Sequence, residues 1–180
     1  MANRPPSYCP YCGTNLSPVD PPTSHYCDSC EDYVFYNPIP TARLAVIDDD
    51  SILLVKVDLP DRDLWGTPGG MVEAGENPDE AGARELEEET TLVVDPDDLV
   101  LFDARTFAKF GTTHKTTLAY AVDVAHVSGT PTAADEVAEA RFWTPEELDS
   151  ASDRLLTSWP AAYKDLDWWV ENARAAVQRA

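Results

Sequence analysis

The sequence predicts a mixed α/β or α+β domain behind a short cysteine-bearing module. Three observations carry this expectation. Two apolar stretches, 42–48 and 51–57, flank the Asp49-Asp50 turn and read as paired strands. A helix with a marked start runs from Pro78 to Thr90. From Pro160 to the end, Ala, Leu, Trp and Val recur at helical spacing.

Residues 1–38 hold all four cysteines, as Cys9-Pro-Tyr-Cys12 and Cys27-Asp-Ser-Cys30. Two CxxC pairs fourteen residues apart suit a tetrahedral site of four thiolates, Cys9, Cys12, Cys27 and Cys30, around structural Zn²⁺. Gly13 supplies permissive backbone after the first pair. So short a segment cannot fold on an apolar core, so the metal would provide much of its stability. Two disulfides or a redox CxxC are the competing readings. A reducing cytosol disfavours the first, and the Pro- and Asp-rich surroundings disfavour the second. His25 reads as a surface or packing residue, because four cysteines already fill the site. Tyr33–Tyr36 reads as the last strand of this module, and Asn37-Pro38-Ile39-Pro40 as an extended linker.

The second module, 39–180, opens with the two strands already described. Asp58 to Asp63 is a polar loop. Trp65 begins the richest stretch, WGTPGGMVEAGENPDEAGARELEEETTL. It contains a turn-forming run, 66–70, and a second turn at Gly75. Asn77 is a good N-cap, Pro78 suits the first helical position, and Asp79 and Glu80 favour the positive end of the helix dipole. On this helix Glu85, Glu88 and Glu89 stand at i, i+3 and i+4 and share a face. Their mutual repulsion becomes a gain if a dication sits among them. Residues 99–110 and 115–125 read as two longer strands joined by a turn at Gly111, and 127–134 as loop. Ala138–Thr144 is a short strand, and Thr144 caps a helical turn from Pro145 to Leu148. Leu166, Trp168 and Trp169 should cover the apolar face of the domain.

The stretch from Gly70 to Leu92 resembles the Nudix box: Gly, five residues, Glu, seven residues, then Arg-Glu-apolar-any-Glu-Glu-any-Gly-apolar. Here it reads Gly70, Glu76, Arg84, Glu85, Leu86, Glu88, Glu89, Thr91, Leu92. Thr91 replaces the usual Gly, and the expectation is a slightly distorted helix end. A solvated acidic helix face would explain 87–89 alone, but not the paired glycines, Glu76 and Arg84 at their offsets. The resemblance implies an α/β/α sandwich with a mixed sheet, preceded here by the zinc ribbon. It implies Mg²⁺ or Mn²⁺ held by Glu85, Glu88 and Glu89 with the Gly70 carbonyl, and Arg84 orienting a carboxylate, with Glu76 as its partner. The reaction implied is hydrolysis of a nucleoside diphosphate linked to another moiety. Glu88 and Glu136 are both candidates for the general base, with Glu139 as the alternate to Glu136. A zinc ribbon joined through Asn-Pro to such a domain resembles the NADH-pyrophosphatase-like branch. The motif those enzymes carry after the box is missing, however, and Ala108 stands where ADP-ribose pyrophosphatases often have Pro. Phe107, Phe110 and His114 could stack on a base or be strand core. Oxidised nucleoside triphosphates are the alternative substrates, and nucleotide sensing without cleavage is the alternative role.

Composition narrows the partners. With 33 acidic and 13 basic residues, the net charge is −20, spread along the chain. That argues against nonspecific nucleic-acid binding. It suits a surface that stays hydrated at high salt, as in the salt-rich cytosol of a haloarchaeon. There is no apolar run long enough for a membrane span and no signal-peptide core, so a cytoplasmic protein is expected. The expected partner is a small-molecule nucleotide diphosphate, with no nucleic acid and no membrane; homodimer formation is left open.

Overall fold

The computed structural model describes residues 4–20, 23–57, 64–109, 113–134, 137–151, 154–155 and 165–180. The chain divides into two compact units. One comprises 1–39 with 106–116, and the other 40–105 with 117–180.

In the first unit, β1 (Ser17–Asp20), β2 (Ser24–Cys27) and β3 (Asp32–Phe35) form an antiparallel three-stranded sheet in the order β1-β2-β3. The third strand begins one residue before the expected position and ends one before it, because Cys27 pairs with Asp32 directly across the second cysteine turn. Its apolar core is tiny: Cys9, Cys27 and Val34, with Leu16 against them. His25 is buried on β2. It is therefore a packing residue, as one of the two expectations had it.

A seven-stranded mixed sheet carries the second unit, although residue 39 and the strand residues within 106–116 belong to the first. It contains β4 (Ile39–Asp48), β5 (Ser51–Val57), β6 (Leu64–Gly66), β7 (Val100–Lys109), β8 (Thr113–Asp123), β9 (Val137–Trp143) and β10 (Arg154–Leu155). The order is β10-β6-β5-β4-β8-β7, with β9 paired to β5. β4, β6 and β9 each run antiparallel to β5, while β10 is parallel to β6. Strand alternation divides the core in two. Leu44, Val46 and Leu53 face α1 (Pro78–Thr90), meeting Ala81 and Leu86. Ala45, Ile47, Ile52 and Leu54 face the other way, toward Leu148 of α2 (Pro145–Ser150) and Leu166, Trp169, Val170 and Ala173 of α3 (Leu166–Val177). This is the expected α/β/α sandwich. At roughly 2 kcal/mol for each large buried aliphatic side chain, the two layers give the domain a core of its own.

Helix α1 occupies the predicted range, with Glu80 Oε2 accepting from Asn77 N at 2.8 Å at its start. At its end Thr91 adopts a left-handed cap, φ 60° and ψ 9°, and its N–H donates to Glu87 O at 2.8 Å. The expected distortion does not occur. Thr132 N and Ala134 N donate to the Thr90 and Glu89 carbonyls at 2.9 and 3.1 Å, so the following loop satisfies the end of the helix.

Candidate functional site

The site is assembled where three consecutive residues of β4 meet the turn before α1. Ala42 N donates to Gly70 O at 3.0 Å, and Leu44 N to Pro68 O at 2.9 Å. Between them, Arg43 Nη1 donates to Thr67 O at 2.7 Å. Gly69 has φ 133°, and a Cβ there would stand 2.3 Å from Ala42 O. Only glycine tolerates both the conformation and the close approach. A Cβ on Gly70 would fall 2.3–2.5 Å from the Glu85 carboxylate, so that carboxylate occupies the space a side chain would fill.

Arg84 is the hub of the helix face. Its Nε and Nη2 donate to the two oxygens of Glu76 at 2.8 and 3.1 Å. Nη1 reaches Glu85 Oε1 at 3.0 Å and Glu88 Oε2 at 2.9 Å, and Nη2 also donates to Met71 O at 3.1 Å. The planar fork of a guanidinium makes this bidentate grip on Glu76 geometrically specific. The Arg84 hydrogen bonds, followed by the Glu73 amide, hold the Glu76 carboxyl below its usual range, and Arg84 is itself raised by Glu76 and Glu85. Glu89 Oε2 accepts from Gly69 N at 2.9 Å. Glu85 and Glu89 are half-buried, while Glu87 and Glu88 are exposed.

Arg43 is the residue the sequence reading passed over. Burial lowers its guanidinium below the ordinary value, and the charges of Glu89 and Glu85 oppose that shift. The available signal was a single arginine inside the otherwise apolar run Ala-Arg-Leu-Ala-Val. Counting Glu76, Glu85, Glu88 and Glu89 against Arg43 and Arg84, four negative and two positive, the formal charge is −2. A single dication balances it. The hard oxygen donors suit Mg²⁺ or Mn²⁺, and the Gly70 cradle keeps one of them against the turn. The three box carboxylates are drawn to Arg84 and to the Gly69 amide rather than to one another. Among the described residues, only the four cysteines form a group of three or more ligating side chains within 4.8 Å of one another.

Of the other expected site residues, Glu136 lies outside the described residues. Glu139 is on β9, where it pairs with Lys56 at 3.3 Å and is well exposed. Phe107 is half-buried, and Phe110 lies outside the described residues. His114 Nδ1 is 3.2 Å from Tyr36 Oη, with the rings edge to face.

In the cysteine unit, Cys12 and Cys27 Sγ are 3.5 Å apart, and Cys9 and Cys30 Sγ 3.9 Å. No disulfide joins them. Four thiolates on a tetrahedral zinc, each bond about 2.3 Å, stand about 3.8 Å from one another, so the sulfurs fit that ion. Bonds from Thr14 bring the Cys12 thiol down to about 6, while Cys12 and Cys27 push Cys30 up to about 12. The chain turns at Gly13 and Glu31, both with positive φ, after the second cysteine of each pair.

Residues 38–166 match the NUDIX domain, and the chain belongs to that family. Over 87 residues it is 32% identical to the NAD-capped RNA hydrolase NudC of Escherichia coli (K12 / DH10B), a stretch that is 48% of this chain and 34% of the relative. The chain thus spans about a third of the length of the curated relatives it matches. Among solved structures, a NUDIX hydrolase from Nitrosomonas europaea is similar with TM-score 0.63 at 17% identity, covering 94% of this chain and 93% of that one. A MutT NUDIX hydrolase from Burkholderia pseudomallei gives 0.57 at 22% identity, covering 80% and 98%. These likenesses show the fold. No helix among the described residues is long and apolar enough to cross a membrane.

Proposed function

We propose that this chain is a divalent-metal-dependent pyrophosphohydrolase that cleaves a nucleoside diphosphate linked to another moiety. The observation that carries the reading is the Arg84 clamp, one guanidinium holding Glu76, Glu85 and Glu88 beside Glu89 on the Gly69 amide. Glu85, Glu88 and Glu89, with the Gly70 carbonyl, would hold Mg²⁺ or Mn²⁺. When bound, the ion supplies charge neutralisation for a diphosphate and a more acidic water. Arg84 keeps Glu85 and Glu88 oriented, and Glu76 keeps Arg84 in place. Glu88 is the most exposed of the three box glutamates and can accept a proton; Glu136 is the other candidate base, and Glu139 is occupied by Lys56. The four cysteines hold structural zinc, and the ribbon of 1–38 precedes a hydrolase domain of 39–180.

ADP-ribose and NADH-like compounds are the favoured substrates, ahead of oxidised nucleoside triphosphates. The relative that cleaves NAD-capped RNA supports a dinucleotide. A chain at −20 lacks the positive surface that would bind the RNA body, so the free small molecule is favoured. The same charge favours a salt-rich haloarchaeal cytosol. A phosphate-release screen across ADP-ribose, NADH, dinucleoside polyphosphates, oxidised dGTP and NAD-capped RNA, with and without Mg²⁺, tests the reading. Turnover of one diphosphate-linked nucleotide only with Mg²⁺ supports it. Tight nucleotide binding with no turnover of any would instead establish a sensor.

A further inference from the structure

The turn that carries Gly69 and Gly70 is fixed by β4 through three successive residues. Two of these contacts are donated by backbone N–H groups, of Ala42 and Leu44, and any residue but proline could supply them. The middle one uses the Arg43 side chain, on the Thr67 carbonyl. Two residues further along the turn, the Gly69 amide donates to Glu89 Oε2. Arg43 thus connects to Glu89 through the Thr67–Gly69 backbone, and both Glu89 and Glu85 lie within its field. The Gly69 amide reaches Glu89 from the turn side of the box carboxylates.

We propose that Arg43 is a positioning residue, a second guanidinium that fixes Glu89 by bracing the Thr67–Gly69 turn. Arg84 holds Glu85 and Glu88 from one side, and Arg43 holds the turn and Glu89 from the other. A half-buried arginine in the middle of a core strand would otherwise cost desolvation without return. Here it is stabilised by a carbonyl and two carboxylates. The inference rests on the reading of the box as a dication site.

The test is a double-mutant cycle on the full chain, read by Mn²⁺ binding in electron paramagnetic resonance without substrate. Arg43→Gln should weaken Mn²⁺ binding about tenfold, within the range that partners in one network show. Arg43→Lys keeps a donor for Thr67 O and should restore affinity to within about threefold of the wild type. In a Glu89→Gln background, Arg43→Gln should change affinity by less than about twofold, because the group it positions is gone. A purely structural loss would be the same in both backgrounds and would overturn the proposal. So would wild-type affinity in both Arg43 variants. If Arg43→Gln does not fold, Arg43→Met, which keeps an unbranched side chain of similar length but no donor, takes its place in both backgrounds and decides by the same comparison. Wild-type chain that binds no Mn²⁺ would overturn the box reading and this proposal together; normal binding that Glu89→Gln weakens, with additive Arg43 effects, would overturn this proposal alone.

Discussion

Arg84 grips Glu76 with two parallel hydrogen bonds, 2.8 and 3.1 Å long, across eight residues of sequence. Glu76 belongs to the turn before α1 and Arg84 to its middle, so the pair ties the turn to the helix. Because Arg84 depresses the Glu76 pKa, Glu76 is more acidic folded than unfolded. The stability this contributes is fully present above about pH 4.3, the unperturbed glutamate value. It is lost as pH falls through the lower, folded value. Glu76→Gln should therefore lower stability at pH 7 and flatten the acid side of the stability profile. Urea melts of both proteins from pH 7 to pH 3 measure this; the two curves should converge at the acid end.

Thr91 holds φ 60°, where a β-branched side chain is strained by about 1–2 kcal/mol. Thr91→Gly removes that strain but adds unfolded-state entropy and loses a long 3.3 Å bond to Thr130 O. The net gain should be about 0.5–1 kcal/mol, a rise in Tm of a few degrees. Calorimetry gives the answer directly, and a lowered Tm would mean that the cap is not strained.

Helix α1 was legible because its start is written locally, in Asn77, Pro78 and Glu80, and its carboxylates lie at fixed offsets. The core strands were legible from their alternation. Strand β6 was not: Leu64–Gly66 is three residues long and exists through pairing with β5 and β10, both distant in sequence. The strands β1 and β2 carry little apolar pattern, since the cysteines rather than a core organise that unit. Arg43 was missed for a related reason. Its importance comes from Thr67 and Glu89, which no window around residue 43 contains. The Glu76–Arg84 pairing, in contrast, was implied by the resemblance to the Nudix box.

The cysteine unit should depend on its metal. Cys27 is fully buried at the centre of that small core. Cys27→Ser, or a strong chelator, should unfold the ribbon while leaving the domain of 40–105 and 117–180 folded, because that domain has two apolar layers of its own. Metal analysis should find one zinc per chain in protein purified without chelator. Amide exchange then reads the two units separately; uniform loss of protection in both would contradict their independence.

Charge at −20 predicts a salt-dependent fold. The Debye length falls to about 3 Å at 1 M salt, so self-repulsion is screened. Tm should rise by roughly 5–10 °C from 0.1 M to 3 M KCl, a gain of a few kcal/mol for a chain of this size. Equal Tm values would remove the halophilic reading.

The central claim is that the box glutamates form a dication site and not a solvated acidic face. Glu89→Gln keeps the shape of the side chain and deletes one charge, in a group held by the Gly69 amide. Glu87→Gln makes the same change on an exposed residue of the same helix, about 100° from Glu88 and roughly 200° from Glu89 around the axis. The decisive measurement is the Mg²⁺-dependent hydrolysis rate of the best substrate by wild type and these two variants. Loss of one preorganised electrostatic contact costs about 10²–10³-fold. Glu89→Gln should lose activity on that scale while remaining folded at the assay temperature, as circular dichroism checks, and Glu87→Gln should keep most of it. Equal activity in the two variants would contradict the dication site.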